Sequence, residues 1–359
     1  MPTLARGLAY ACALLIPTIA VAQTPQPLQG SSTRAGQYEE LENPRPIFAL
    51  HSGFWLNLHL YLYEQARLKE GQTAAAPDGR GGSAKNRESD SAAWQSAVAY
   101  YGKNFAHRDL LFDEGMVLIS GRLADLETCA DLSGRVSPTC DSGLSKDLVA
   151  VLEAAAPVYR ERWWPSHDQK NRAWIANVAP LIRRTGLPLA QELEAVYHAQ
   201  WQSDPIRVDV TEYAGPLGAY TSLDPAHITV SSFDPRNQGL AGFEILFHEA
   251  SHALATTVQS AIVSACHDRG IPIPRDLWHA LLFYTTGEII RRAAAQGRLN
   301  FPGSTPGNVP APYTPYAYRN GVYTRGWENY QRALETYWQP YLDGKSDFDH
   351  SINAVVAAL

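Results

Sequence analysis

Apolar residues recur at helical spacing from Phe54 to Leu68, with Trp55, Leu58 and Leu62 on one stripe and Phe54, Leu58 and Tyr61 on the next. The period predicts a buried or amphipathic helix, and Gly71 ends it. Residues 74–91 mix Gly, Ala, Asp, Arg, Lys and Ser without a period and read as a flexible loop. Helical patterning resumes from Ala92 to about Leu126. It continues over Lys146 to Tyr159, Asp168 to Thr185 and Leu189 to Trp201, the last two parted by Gly186 and Pro188. The period then changes to two. Ile206, Val208 and Val210 alternate with Arg207, Asp209 and Thr211, and Ile228, Val230 and Ser232 alternate with Thr229 and Ser231. That alternation predicts short strands around a Gly215-Pro216 turn. Helices follow again, among them Asp276 to Ala295 and Glu328 to Tyr341.

A mostly helical body with a small sheet in its second half implies an α+β fold. The expected organisation is a helical region over residues 47–200 and a catalytic region over 201–359. Residues 23–46 are rich in Pro, Gln, Ser and Gly and carry too little apolar surface to offset chain entropy, so they read as a flexible leader. Ahead of them Arg6 precedes an apolar run from Leu8 to Ala22 that closes on Ala20-Val21-Ala22, a small-x-small cleavage signature. The run falls short of the roughly 20 residues that a membrane-spanning helix needs. Residues 1–22 are therefore expected to be a removed signal peptide, which makes the mature protein secreted or periplasmic, with no transmembrane segment.

The formal net charge of the 359 residues is −6 and no dense Lys/Arg block occurs, so nucleic acid is not expected as a partner. In an oxidising compartment Cys129 and Cys140 could close a small loop through Asp131, Ser133, Gly134 and Pro138. Cys266 follows the helical run Ala261 to Ala265 and reads as a buried free thiol.

The segment Leu246-Phe247-His248-Glu249-Ala250-Ser251-His252-Ala253-Leu254 carries the pattern His-Glu-x-x-His within helical patterning. Residues four apart on a helix share a face, so both imidazoles can reach one metal ion. Glu249 lies on the adjacent face, where its carboxylate can take a proton from a water at the metal without ligating the metal itself. Phe243, Leu246, Phe247, Ala250 and Leu254 surround these groups. Burying them there without a metal would be costly.

The motif resembles that of the zincin superfamily of metallopeptidases, and the resemblance covers only the segment around it. It implies a zincin-like catalytic domain holding a single zinc ion, a peptide or protein substrate, and a strand upstream of the motif helix that pairs with extended substrate. His227 to Ser232 matches that strand. The metzincin arrangement is excluded because Ala255 and Val258 stand where it needs Gly and His. The gluzincin arrangement, with a glutamate on a later helix, points to Glu288 as the third ligand, with His279, Asp276 and Asp268 as competitors. His279 and Glu288 are nine residues apart, about 900° of helical rotation, so one helix presents them on opposite faces. Glu244, one turn before His248, is either a supporting partner or a surface acid. Zincins also place a donor near the developing oxyanion. The segment Tyr313 to Trp327 offers Tyr316, Tyr318, Arg319, Tyr323 and Arg325, of which Tyr323 is the first choice. The expected activity is hydrolysis of peptide bonds. The alternatives are a zinc amidase acting on cell-wall or small-molecule amides, and an exported zinc-binding protein without catalysis.

Overall fold

The computed structural model describes residues 46–69, 71, 91–299 and 312–359. The expected signal peptide, the leader apart from Pro46 and the 74–91 loop apart from Ser91 lie outside the described residues.

A short strand, β1 (Phe48–His51), leads into α1 (Phe54–Lys69), the first expected helix. Three helices follow: α2 (Ala92–Asn104), α3 (Glu114–Asp125) and α4 (Lys146–Arg162). Each begins after a Ser or Asp whose side chain accepts an otherwise unpaired first-turn N–H: Ser91 from Trp94, Asp113 from Met116 and Ser145 from Leu148. Cys129 and Cys140 form the expected disulfide between α3 and α4, and Cys266 is a buried free thiol.

The two helices expected on either side of Gly186 and Pro188 are one continuous helix, α5 (Trp164–Tyr197). A proline inside a helix costs about 3 kcal/mol, whereas fully burying one Leu or Ile side chain gains about 1.5–3 kcal/mol. The face carrying Leu181, Ile182, Leu189 and Leu193 is buried, so packing outweighs the lost backbone bond. Gly186 serves contact rather than a turn, because a Cβ there would stand 3.0 Å from Ile47 Cδ1.

Three more strands, β2 (Ile206–Thr211), β3 (Ala219–Ser222) and β4 (His227–Ser231), complete a sheet in the order β1-β2-β4-β3. β1, β2 and β4 run parallel and β3 is antiparallel to β4. Strand alternation splits the sheet into two faces. Ile206, Val208, Val210, Ile228 and Val230 join α5 and the later helices in the larger core, while α1 to α4 build a smaller one. The other face carries Arg207, Asp209, Thr211 and His227. Asp209 is fully buried and is bonded by Arg207 at 2.6 Å and His227 at 2.7 Å. Burial opposes its charge, but these two bonds outweigh it and hold the carboxyl below its ordinary value. Strand β1 pairs with β2 and α5 lies in the larger core, so the chain does not divide in packing near residue 200.

The motif helix α6 (Leu240–Ser251) is followed by α7 (Thr256–Arg269) and α8 (Leu277–Ala295). The described C-terminal stretch holds α9 (Tyr316–Arg319), α10 (Glu328–Ala333), a π turn at Leu334–Trp338, α11 (Gln339–Leu342) and α12 (Phe348–Ala357). The architecture is the expected α+β, mostly helical fold with its small sheet upstream of the motif helix. No helix among the described residues is long and apolar enough to cross a membrane.

Candidate metal centre

Helix α6 is buried from Ala241 to Ser251, as its apolar composition requires. It packs closely at Gly242, where a Cβ would meet the Asn237 carbonyl oxygen at 2.3 Å. His248 and Glu249 lie in its last turn. His252 opens the 3-10 turn His252–Leu254 with helical angles, φ −58° and ψ −34°, so the one-turn spacing survives. The His248 and His252 ring centroids are 5.2 Å apart.

Helix α8 packs on α6 and contributes His279, whose Nε2 is 3.2 Å from His248 Nε2 and whose ring centroid is 5.0 Å from that of His252. One ring nitrogen from each of the three histidines lies within 4.8 Å of the other two. Two nitrogens on a tetrahedral zinc with Zn–N about 2.0–2.1 Å stand roughly 3.3 Å apart, close to the His248–His279 separation.

The third residue of the group that could hold a metal is His279, weighed above as a competitor, and Glu288, expected as the third ligand, is not part of that group. Nine residues of helix place Glu288 on the far side of α8 from His279, where Arg291 grips both of its carboxylate oxygens at 2.7 Å. Among the competitors, Asp268 is exposed and Asp276 sits at the start of α8 without a side-chain cap bond.

Burial, reinforced by the neighbouring His252 and His279, holds His248 far below the usual imidazole value. Burial and His279 bring His252 down to about 3, and burial brings His279 down to about 4 against the pull of Asp276. All three rings are therefore neutral near pH 7 and offer lone pairs, as metal ligation requires. The donor set fits a zinc ion. Ligand histidines usually give their second nitrogen to an acceptor, yet Nδ1 of His248 is buried without a partner. Its ring is fixed instead by stacking on Phe283, with centroids 3.5 Å apart. Trp278 packs against His252 and Trp327 against His279, both at 5.5 Å, so the cluster sits in an aromatic surround.

Glu249 is beside the three histidines but outside their group: its Oε2 is 3.9 Å from His252 Nε2. With His252 neutral, this contact is not an ion pair. Burial pushes the Glu249 carboxyl up to about 7, partly countered by a 2.8 Å hydrogen bond from the Thr221 hydroxyl. Glu244 is buried as well, which rules out the surface reading. It accepts the Tyr313 hydroxyl at 2.7 Å and the Tyr316 N–H at 3.0 Å, and burial lifts its carboxyl to about 7. Gly287 on α8 makes room for this anchor: a Cβ there would stand 2.7 Å from Pro315 Cβ.

Two further expectations change. Tyr323 is buried with its hydroxyl unpartnered, and its neighbours are Tyr318, Glu244, Tyr284 and Glu335 rather than the histidines. Tyr316 is the tyrosine of that segment whose surroundings include Glu249, and its ring lies parallel to Phe283 at 6.1 Å. The strand expected to receive substrate, β4, is paired on both sides. The edge of the sheet next to α6 is β3, which carries Thr221. Sequence reading held no signal for Thr221, since four residues are too few to establish a period. Of the other histidines, His59 and His167 are buried in the helical core region, while His107 and His350 are exposed. The chain matches no protein-family model, no curated protein and no solved structure.

Proposed function

We propose that the protein is a zinc-dependent hydrolase acting on peptide bonds, with His248, His252 and His279 as ligands and Glu249 as general base. The observation that carries this reading is the convergence of three neutral imidazoles beside a buried carboxylate that is not one of the group. A bound zinc ion would supply Lewis acidity to the substrate carbonyl and to a water beside it. Glu249 takes the proton of the attacking water and delivers it to the leaving amine. Near neutral pH its raised value suits both halves of that transfer. The aromatic rings of Trp278, Phe283 and Trp327 replace part of the water around the cluster, which strengthens each electrostatic contact in the site.

A peptide substrate is favoured by β3. Among the described residues its outer edge pairs with no strand, and an extended peptide can add there by main-chain hydrogen bonds. Export through residues 1–22 belongs to the same reading, and the Cys129–Cys140 disulfide supports an oxidising compartment. The test is metal analysis of the purified protein together with hydrolysis of fluorescently labelled casein. Wild type should hold one zinc per chain, and Glu249→Gln should keep that zinc while losing roughly 100- to 10,000-fold in turnover. Undiminished turnover in Glu249→Gln, or the lack of a stoichiometric metal in wild type, sinks the proposal.

A further inference from the structure

Phe283 stands one turn after His279 on α8, so one face of that helix brings both side chains to His248 on α6. The rings of Phe283 and His248 have centroids 3.5 Å apart and planes 16° apart. Carbon atoms in contact prefer separations of about 3.5–4.0 Å, so nearly parallel rings at this distance have no room for an offset and overlap face to face. Neutral aromatic rings avoid that arrangement. Their negative faces repel, and they settle offset or edge to face with centroids about 4.5–7 Å apart. Every other ring contact of the three histidines among the described residues obeys this preference, with centroids between 5.0 and 5.5 Å. The pair of His248 and Phe283 is the exception.

A face-to-face pair becomes favourable when one ring carries positive charge, because the π face of the other then attracts it. A divalent ion on a ring nitrogen supplies such charge to an imidazole. A ligand histidine usually meets that charge by giving its second N–H to a carboxylate or a carbonyl. His248 is 1% exposed, and its Nδ1 has no partner. The face of Phe283 lies where the charge would be felt, and Phe283 is itself held. Tyr316 lies parallel to it at 6.1 Å, and the Tyr316 N–H is bonded to Glu244 at 3.0 Å. Resting on the zinc site proposed above, we infer that Phe283 is a positioning residue for the metal: its ring seats His248 and counters the positive charge that a bound ion places on that imidazole. An aromatic face thus stands in for the hydrogen-bond acceptor behind one ligand, and metal affinity depends on the electron density of that face.

Fluorine withdraws electron density from a phenyl face while changing its shape little, so para-fluoro-, difluoro- and pentafluorophenylalanine at position 283 test the charge apart from the packing. Competition with a chromophoric chelator reads zinc affinity without a substrate. Affinity should fall at each step and reach a loss of about thirtyfold with the pentafluoro ring, the size of a desolvated cation–π contact. Phe283→Leu, which keeps an apolar side chain and removes the π face, should lose about as much. Should the pentafluoro ring not fold, the two smaller replacements carry the trend. Thermal melting of the same proteins without metal is the control: with no charge on His248 to counter, their stability should not fall with fluorine content, whereas a purely structural role would move stability and affinity together. Zinc affinity that stays flat across the series, or that falls only in step with metal-free stability, overturns the role of Phe283 and leaves the zinc site standing. If wild type binds no stoichiometric zinc, the zinc site fails and the role of Phe283 falls with it.

Discussion

Replacing His279 and Glu288 separately distinguishes two metal sites that the same helix could have built. Metal-binding free energies of zinc sites with a full protein ligand set run to about 10–16 kcal/mol, so a three-imidazole site near 12 kcal/mol assigns about 4 kcal/mol to each ring. His279→Ala should therefore weaken zinc affinity by roughly a thousandfold, at 1.4 kcal/mol per decade. Glu288→Gln leaves the three histidines in place and disturbs only the pair with Arg291, whose side chain is 42% exposed and can turn to water. Zinc affinity there should stay within about threefold of wild type, and the stability loss should be about 1 kcal/mol. Competition with a chromophoric chelator measures both affinities on purified protein, without a substrate. The opposite ranking, with Glu288→Gln losing the metal and His279→Ala keeping it, refutes the geometry on which the site rests.

Two further outcomes test the packing. His59 is fully buried and held down to about 3 by that burial. Between its ordinary value of 6.5 and about 3 the unfolded chain binds a proton that the folded chain refuses, so stability falls as pH drops through this window. One such group contributes about 1.4 kcal/mol per pH unit, so chemical denaturation of His59→Leu should lose roughly 2 kcal/mol less than wild type between pH 6.5 and 5; an identical pH dependence in the two proteins contradicts it. Gly287→Ala should destabilise by about 1–3 kcal/mol, because the added Cβ would crowd Pro315 at 2.7 Å and Glu244 Oε1 at 3.3 Å. Relief from clash alone would favour Ala in a helix by about 1 kcal/mol, so a melting temperature that is unchanged or raised counts against the close approach.

The motif was legible because it is local: four residues of helix fix two side chains on one face whatever surrounds them. The third residue of the cluster was not, because the choice between His279 and Glu288 depends on which side of α8 meets α6, and apolar residues flank both. One sequence signal was available. Arg291 and Arg292 stand three and four residues after Glu288, the spacing at which a helix satisfies its own carboxylate, and the structure uses both, at 2.7 Å and 3.9 Å. Pattern also gave β2 and β4 but missed β1 and β3, each four residues long. It broke α5 at Gly186 and Pro188, where the glycine in fact admits Ile47. In each miss a long-range contact decided what local preference left open.

Three buried glutamates on α6 and α8 show how partners assign chemistry to otherwise similar acids. Both oxygens of Glu288 are taken by one guanidinium, which fixes the group on its own helix. Both oxygens of Glu244 are taken as well, by the Tyr316 N–H and the Tyr313 hydroxyl, so it serves as an anchor for the chain that lies over the site. Glu249 alone has a single neutral donor on one oxygen. A carboxylate oxygen already held by a donor of the fold has fewer lone pairs left for a further partner. Of the three, Glu249 is the acid least held by donors of the fold, and it is also the one within 4 Å of a histidine of the cluster.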